Sequence, residues 1–341
     1  MNPQRLTELF ARYRHLRIVI VGDFCLDRYL EIDPSRSEIS IETGLPVFNV
    51  TRVRAQPGAA GTVLNNLVSL GVGTLIPVGF HGCDGEGYEL RRAMGSLAGV
   101  DLRHFIETPL RRTFTYTKPL LIHENAPPEE LSRLDLKNWS ATPPHLDSAI
   151  AKELLLAAVD ADAVIVMDQT DLPEVGTVTP TVLQALASLH TRRPELPVFA
   201  DSRSGLGRFP SCRFKLNRRE LCSLIGIPEL SSPEACGREA ANLARKTRQP
   251  VYVSMAEDGI LCAQPGEETC SVPALKVRGP IDVVGAGDCV TANIAAATAA
   301  GAPVHECLKI AMLACSHVIH QLGTSGSCTP EDILTNLNLL R

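Results

Sequence analysis

The feature that most constrains this chain is a regular exchange of short β-branched runs with helical stretches. Helical patterns at 145–159, 179–190, 219–225 and 233–246 alternate with apolar runs at 163–167, 198–201, 250–254 and 260–263. An apolar run is too short to span anything but a buried strand, and each intervening helix is long enough for a crossover. The pattern therefore predicts βαβ units and a doubly wound, mostly parallel sheet of three layers, helices on both faces. The run LRIVIVG at 16–22 reads as the first buried strand, and it delivers the stretch 23–27 to a crevice at the sheet's carboxyl edge. Helices are expected at 58–70, from the turn at 82–85 to about 97, and then at 286–300, 304–321 and 330–339, with a short strand at 75–78.

Two stretches break this rhythm. Residues 31–54 hold short alternating pieces interrupted by Pro34, Gly44 and Pro46, and residues 113–123 alternate in the same way. They read as a small β-sheet lid, inserted at about 31–54 and 108–136 into a single domain spanning 1–341. A lid of this kind exposes strand edges, so a homodimer through the lid strands is expected.

Lys+Arg 33 against Asp+Glu 38 leaves a net charge of −5, and only 4% of the 341 residues are aromatic. That balance excludes nucleic acid as the main ligand, because phosphate-backbone binding needs clustered cations and base stacking needs rings. No apolar run reaches the roughly 18 residues of a membrane span, and no apolar leader precedes the first strand, so a cytoplasmic protein without a membrane partner is expected. The eleven cysteines are scattered, with no C-x-x-C pair, and suit a reducing compartment. His317 and His320 stand three apart with no third metal ligand evident, and Arg111-Arg112 is a basic pair at the lid edge.

The strongest chemical signal is Asp282-Val283-Val284-Gly285-Ala286-Gly287-Asp288, followed by a helix of small residues. Gly285 and Gly287 let the backbone turn tightly, and N–H groups at a helix start attract phosphate oxygens. A carboxylate beside a phosphoryl group does not help to bind it. Asp288 is left with two readings, a helix cap or a base that takes a proton from an attacking hydroxyl. No G-x-x-x-x-G-K-[ST] is present and no G-x-G-x-x-G follows the first strand, which excludes a P-loop and removes the support for a dinucleotide fold.

The 282–288 segment resembles the D-T-x-G-A-G-D signature of the ribokinase-like (PfkB) carbohydrate kinases. Gly58-Ala59-Ala60-Gly61-Thr62-Val63 stands where that family has G-G-A-A-N-V-A. The start Gly22-Asp23-Phe24-Cys25-Leu26-Asp27-Arg28-Tyr29 and the late Leu322-Gly323-Thr324-Ser325 are most similar to the heptose 7-phosphate kinase branch. The resemblance runs from about residue 17 to 333. It implies transfer of a phosphoryl group from ATP, with Mg²⁺, to a hydroxyl of a sugar or sugar phosphate, and leaves a monovalent cation open. By position, Asp288 is the expected base, with the Gly285, Ala286 and Gly287 amides stabilising the transferring group. Asp27, Gly58 and Thr62 are the expected acceptor contacts. Asn217 and Glu220 match an N-x-x-E element that holds Mg²⁺ and phosphates, Glu220 as the metal-side carboxylate. Ser254 and Gly259 fall where the nucleotide loop begins, and Arg203 is placed to meet a phosphate.

Four departures stand out: Thr62 for asparagine, Ala59 for glycine, Val283 for threonine and Met312 for asparagine. They keep two alternatives in view, a weakly catalytic sugar- or nucleotide-binding regulator on the same scaffold and a nucleoside kinase. The heptose branch often carries a fused nucleotidyltransferase. The chain ends at Arg341, so kinase chemistry alone is expected.

Overall fold

The computed structural model describes residues 1–340 except 125, 173, 204 and 324. Among the described residues, nine strands form the main sheet. Their spatial order is Cys270–Val272, Ile260–Ala263, Val251–Ser254, Arg213–Asn217, Val198–Ser202, Ala163–Asp168, Arg17–Gly22, Thr74–Gly82 and Phe105–Thr108. Neighbours pair in parallel except around 260–263, which runs antiparallel to both its partners. In the strand Arg17–Gly22, called the central strand because the cores lie on both its faces, Ile18 and Ile20 point into one core with Leu64, Ile294 and Leu308. Val19 and Val21 point into the other, with Ile150, Val182 and Leu243. Burial on both faces is why that strand reads as an unbroken apolar run.

From the central strand the chain first builds outward through 74–82 and 105–108, then returns to its other side with 163–168. Successive connections thus leave in opposite directions at the boundary between 17–22 and 163–168. A crevice must open there at the carboxyl ends of the strands. Asp23 clips its two sides together: its carboxylate accepts the N–H groups of Gln169 (2.8 Å), Thr170 (3.2 Å) and Thr177 (2.6 Å). Burial, then the nearby Asp168, pushes the Asp23 carboxyl up to about 6.

The small sheet stands over this crevice. Phe24–Ile32 pairs antiparallel with Val50–Ala59 and parallel with Phe114–Leu121, which in turn pairs antiparallel with Leu134–Leu136 and Glu129–Glu130. A separate hairpin joins Glu38–Ile39 to Pro46–Val47. The strands extend on both sides of 31–54, from Phe24 to Ala59. The inner end of the first one, Phe24 to Asp27, is buried throughout and so lacks the alternation that marks an open sheet.

Several elements are absent from the sequence reading, the edge strand Cys270–Val272 among them. A helix at Pro3–Tyr13, capped by Asn2, buries Leu6, Leu9 and Tyr13 at helical spacing. The strand Arg213–Asn217 carries the charged Lys215 in its middle. The edge strand Phe105–Thr108 is only four residues long. No helix among the described residues is long and apolar enough to cross a membrane.

Candidate active site

The crevice holds a cavity of about 190 Å³ between the lid and the main sheet. Its floor is the start of helix Ala286–Ala299. Gly285 occupies the preceding position with φ 79°, and no side chain caps the helix. That left-handed conformation favours glycine, and a methyl there would also lie 3.5 Å from Thr62 and Ser325. Asp288 sits in the first turn, so it is not the cap. Burial first, then the charge of Asp201, pushes its carboxyl up to about 7, with Lys215 and Arg203 pulling the other way.

A buried network supports this floor. Lys215 Nζ donates to Asp201 Oδ2 at 2.9 Å, and Thr291 Oγ1 donates to the same oxygen at 3.3 Å. Burial alone would lower the Lys215 pKa, but Asp201 holds it up. A methyl at Gly287 would stand 2.9 Å from Lys215 Nζ, so the ammonium would have to shift against Asp201.

The roof is built by strand register. Asp27 lies opposite Tyr116, and Tyr29 opposite Lys118, so period two brings Asp27, Tyr116 and Lys118 to one face. Asp27 is 8% exposed, and its pKa is raised by burial against the opposing pull of Lys118. Arg28 bonds Glu89 at 2.8 Å and leaves Asp27 to the cavity. Gly58 lies across from Cys25, and a methyl at 58 would overlap the Asp27 carboxylate. Ala59 holds φ 54° and ψ −117°, a strained conformation for an L-residue, directly on the cavity wall.

Four cations line the same space: Lys118, Arg133, Lys137 and Arg203. Arg133 is paired with Asp135 (2.7 Å) and Lys137 with Asp171 (3.2 Å). Lys118 and Arg203 have no ion-pair partner among the described residues. Arg203 also lines a second cleft of about 390 Å³, together with Ser202, Gly207, Arg208 and Glu220. The two spaces therefore meet at one residue.

The pfkB family of carbohydrate kinases matches residues 146–332, more than half of the chain. The chain belongs to that family. It is 28% identical to the bifunctional protein HldE of Geotalea uraniireducens over 99% of its own length, and 30% identical to HldE of Gluconacetobacter diazotrophicus over 96%. It spans 66% and 64% of those two proteins, less than two thirds of either. Among solved structures, phosphofructokinase-2 of Escherichia coli in complex with potassium superposes with a TM-score of 0.73 at 18% identity, covering 96% of this chain and 100% of that one. Arabidopsis thaliana ribokinase complexed with ribose and ATP gives 0.65 at 19% identity, covering 96% and 99%. These two likenesses establish the ribokinase-like fold.

Against this pfkB-family frame, Asp27, Thr62, Gly285 and Asp288 all line the one cavity, with Ala286 and Gly287 in the helical turn below. Glu220 lines the adjoining cleft. Asn217 Oδ1 accepts the Glu220 N–H (2.9 Å) and Glu220 Oε2 accepts the Asn217 N–H (2.7 Å), a reciprocal cap that fixes the Glu220 side chain. Burial raises the Glu220 pKa. Ser254 lies in register beside Asn217 but spends its hydroxyl on Leu216 O at 3.2 Å. Gly259, at φ 90°, closes a 3₁₀ turn, and its carbonyl accepts the Met255 N–H. Neither lines the cavity or the cleft. Val283 is exposed and Met312 is buried in the core. Thr324 lies outside the described residues.

Neither member of the basic pair at the lid edge, Arg111-Arg112, lines the cavity. Arg111 is buried, and its guanidinium donates to Ser140 O (2.5 Å) and Ser140 Oγ (3.2 Å), bracing the lid root. The cavity cations are instead Lys118, Arg133 and Lys137, which the sequence reading did not select. The alternation at 113–123 already placed Tyr116 and Lys118 on one face. What it lacked was the register that turns this face towards Asp27.

Proposed function

We propose that this pfkB-family chain transfers the γ-phosphoryl group of ATP to a hydroxyl of a phosphorylated sugar. The observation that carries this reading is the convergence of Asp27 and Asp288 on one cavity whose floor is an uncapped helix start. Asp27 can accept hydrogen bonds from two neighbouring hydroxyls, the natural use of an acceptor-only group. With its carboxyl near 7, Asp288 is a competent base at neutral pH: it takes the acceptor hydroxyl proton as the oxygen attacks phosphorus. The new O–P bond forms as the bond to the β-phosphate oxygen breaks, and ADP departs with that electron pair. The amides at this helix start, Gly285, Ala286 and Gly287, would stabilise the charge that gathers on the transferring oxygens, with Ala286 first releasing the hydrogen bond that its N–H donates to Val283 O at 3.2 Å. Nucleotide phosphates enter from the cleft shared through Arg203.

Mg²⁺ fits the residues present. Glu220 offers a hard carboxylate oxygen held in place by Asn217, and the ion would neutralise phosphate charge in this cleft. Ser254 and Gly259 are better read as shaping the neighbouring loop than as nucleotide contacts.

The phosphorylated acceptor follows from Lys118. Lys118 lines the cavity beside Asp27 and forms no salt bridge among the described residues, which favours an anionic group on the sugar; a neutral nucleoside would leave it unmatched. Lys118→Met should raise KM for a sugar phosphate about 10- to 100-fold, the worth of a charge-assisted hydrogen bond, and leave KM for the parent sugar unchanged. An equal effect on both acceptors would contradict the phosphate reading.

We also propose a homodimer through the lid. The strand Val50–Ala59 is an open edge, and Ile39, Ile41, Phe48 and Val53 are exposed beside it. All eleven cysteines are free thiols, in keeping with a cytoplasmic setting.

A further inference from the structure

Away from the cavity, three side chains of different chemistry meet at the last turn of helix Val304–Val318. His317 Nε2 stands 3.6 Å from Asp332 Oδ2. The Cys328 thiol joins them, so that one donor atom from each residue lies within 4.8 Å of the others. Cys328 is buried, whereas His317 and Asp332 are partly open, which gives the cluster a dry side and a wet side. An ordinary ion pair accounts for the histidine and the aspartate, and Cys328 also packs in the hydrophobic core with its sulfur turned to that pair. Among the described residues, Cys328 Sγ makes one hydrogen bond, a weak one to Thr329 O at 3.6 Å.

The surroundings already restrain these donors. Asp332 Oδ2 accepts from Thr329 N (2.9 Å) and Thr329 Oγ1 (2.7 Å), which locks the carboxylate rotamer. Asn336 Nδ2 stands 3.4 Å from His317 Nδ1, the ring nitrogen turned away from Asp332. Amide oxygen and nitrogen are alike in shape, and exchanging the two in Asn336 sets the oxygen against Nδ1; the proton then stays on Nδ1 and the Nε2 lone pair is left for the cluster. Outer partners of this kind orient and tune metal-binding side chains.

We propose that His317 Nε2, Cys328 Sγ and the Asp332 carboxylate form a three-ligand site for a divalent cation of the Zn²⁺ class, with a fourth position open to water. Imidazole, thiolate and carboxylate together are the donors that such an ion takes, and hard Mg²⁺ would not select a thiol. Donors about 2.0–2.3 Å from a tetrahedral ion lie roughly 3.3–3.8 Å apart, and the His317–Asp332 separation is already in that range. Binding breaks the S–H bond, sends the proton to solvent and uses the sulfur electron pair for the metal bond, with no change of oxidation state. The site lies three residues along the chain from Ser325, which lines the acceptor cavity. Ser327 between them is held by Gln321 and by Ser69 Oγ at 2.8 Å. A bound ion would therefore anchor one wall of the cavity from outside.

The test is a Co²⁺ titration of the full chain, followed by displacement with Zn²⁺. The expected result is one Co²⁺ per chain with a thiolate-to-cobalt charge-transfer absorption that Zn²⁺ abolishes. Cys328→Ser should remove that absorption, and Cys328→Ser and His317→Gln should each weaken Zn²⁺ binding at least about tenfold. The exposed-thiol control Cys83→Ser should change neither. Absence of the thiolate absorption in the native chain, or its retention in Cys328→Ser, overturns the proposal. Should circular dichroism show Cys328→Ser unfolded, His317→Gln decides alone, and unchanged Zn²⁺ affinity in it overturns the proposal.

Discussion

Asp288→Asn should make the protein slower and more stable at once. The carboxyl is pushed from an ordinary 3.8 to about 7, chiefly by burial and then by Asp201. A group whose native pKa is raised stabilises the fold fully below its unfolded pKa. It loses that contribution as pH climbs to the native value. Between about pH 4 and pH 7 the native chain thus holds a proton that the unfolded chain has released. The full interval corresponds to about 4 kcal/mol at 1.36 kcal/mol per pH unit. Asp288 opens on the cavity, and solvent there screens it, so about 1–2 kcal/mol is the expected gain from a neutral asparagine above pH 7. The gain should vanish near pH 4, where both residues are neutral. Turnover should fall about 100-fold or more, because the amide cannot take the acceptor proton. Thermal denaturation of both proteins from pH 4 to 8.5, with ADP formation from Mg-ATP, reads both effects. The native rate should rise with pH through about 7 and then level. Turnover within threefold of native would refute the role of Asp288, and a stability difference that ignores pH would refute the electrostatic argument.

Other expectations follow from the lid. Ala59→Gly should raise stability by about 1 kcal/mol, because glycine accepts φ 54° without the penalty an L-residue carries, and a lowered Tm would show that the methyl packs more than it strains. Val53→Lys should convert a dimer to a monomer in light scattering at micromolar concentration, since it places a charge beside the open edge strand. A native chain that is already monomeric would remove the lid interface.

The layered fold was legible because burial leaves a periodic mark. Runs such as Ile18 to Val21 are apolar throughout, and the helices between them carry regular stripes. The strand Arg213–Asn217 was hidden by Lys215, whose charge is matched only across the sheet by Asp201, a partner 14 residues away. The helix Pro3–Tyr13 was hidden by its arginines, although Leu6, Leu9 and Tyr13 mark one face. The floor of the cavity was readable from Gly285 to Asp288, because a local turn and a helix start need only neighbouring residues. The cations of the roof were not. Lys118, Arg133 and Lys137 become neighbours of Asp27 only through strand pairing, and pairing partners leave no mark in a single sequence. The meeting of His317 with Cys328 and Asp332 was hidden for the same reason, since it depends on how the short helix Pro330–Asn336 docks.

The most direct measurement is ADP formation from Mg-ATP with matched pairs of acceptors, each hexose and heptose beside its phosphate, and with nucleosides. The account predicts turnover that depends on the acceptor, a kcat/KM at least tenfold higher for a phosphorylated member of a pair, and loss of turnover in Asp288→Asn. ATP binding with no turnover on any acceptor, or turnover confined to nucleosides, would contradict it.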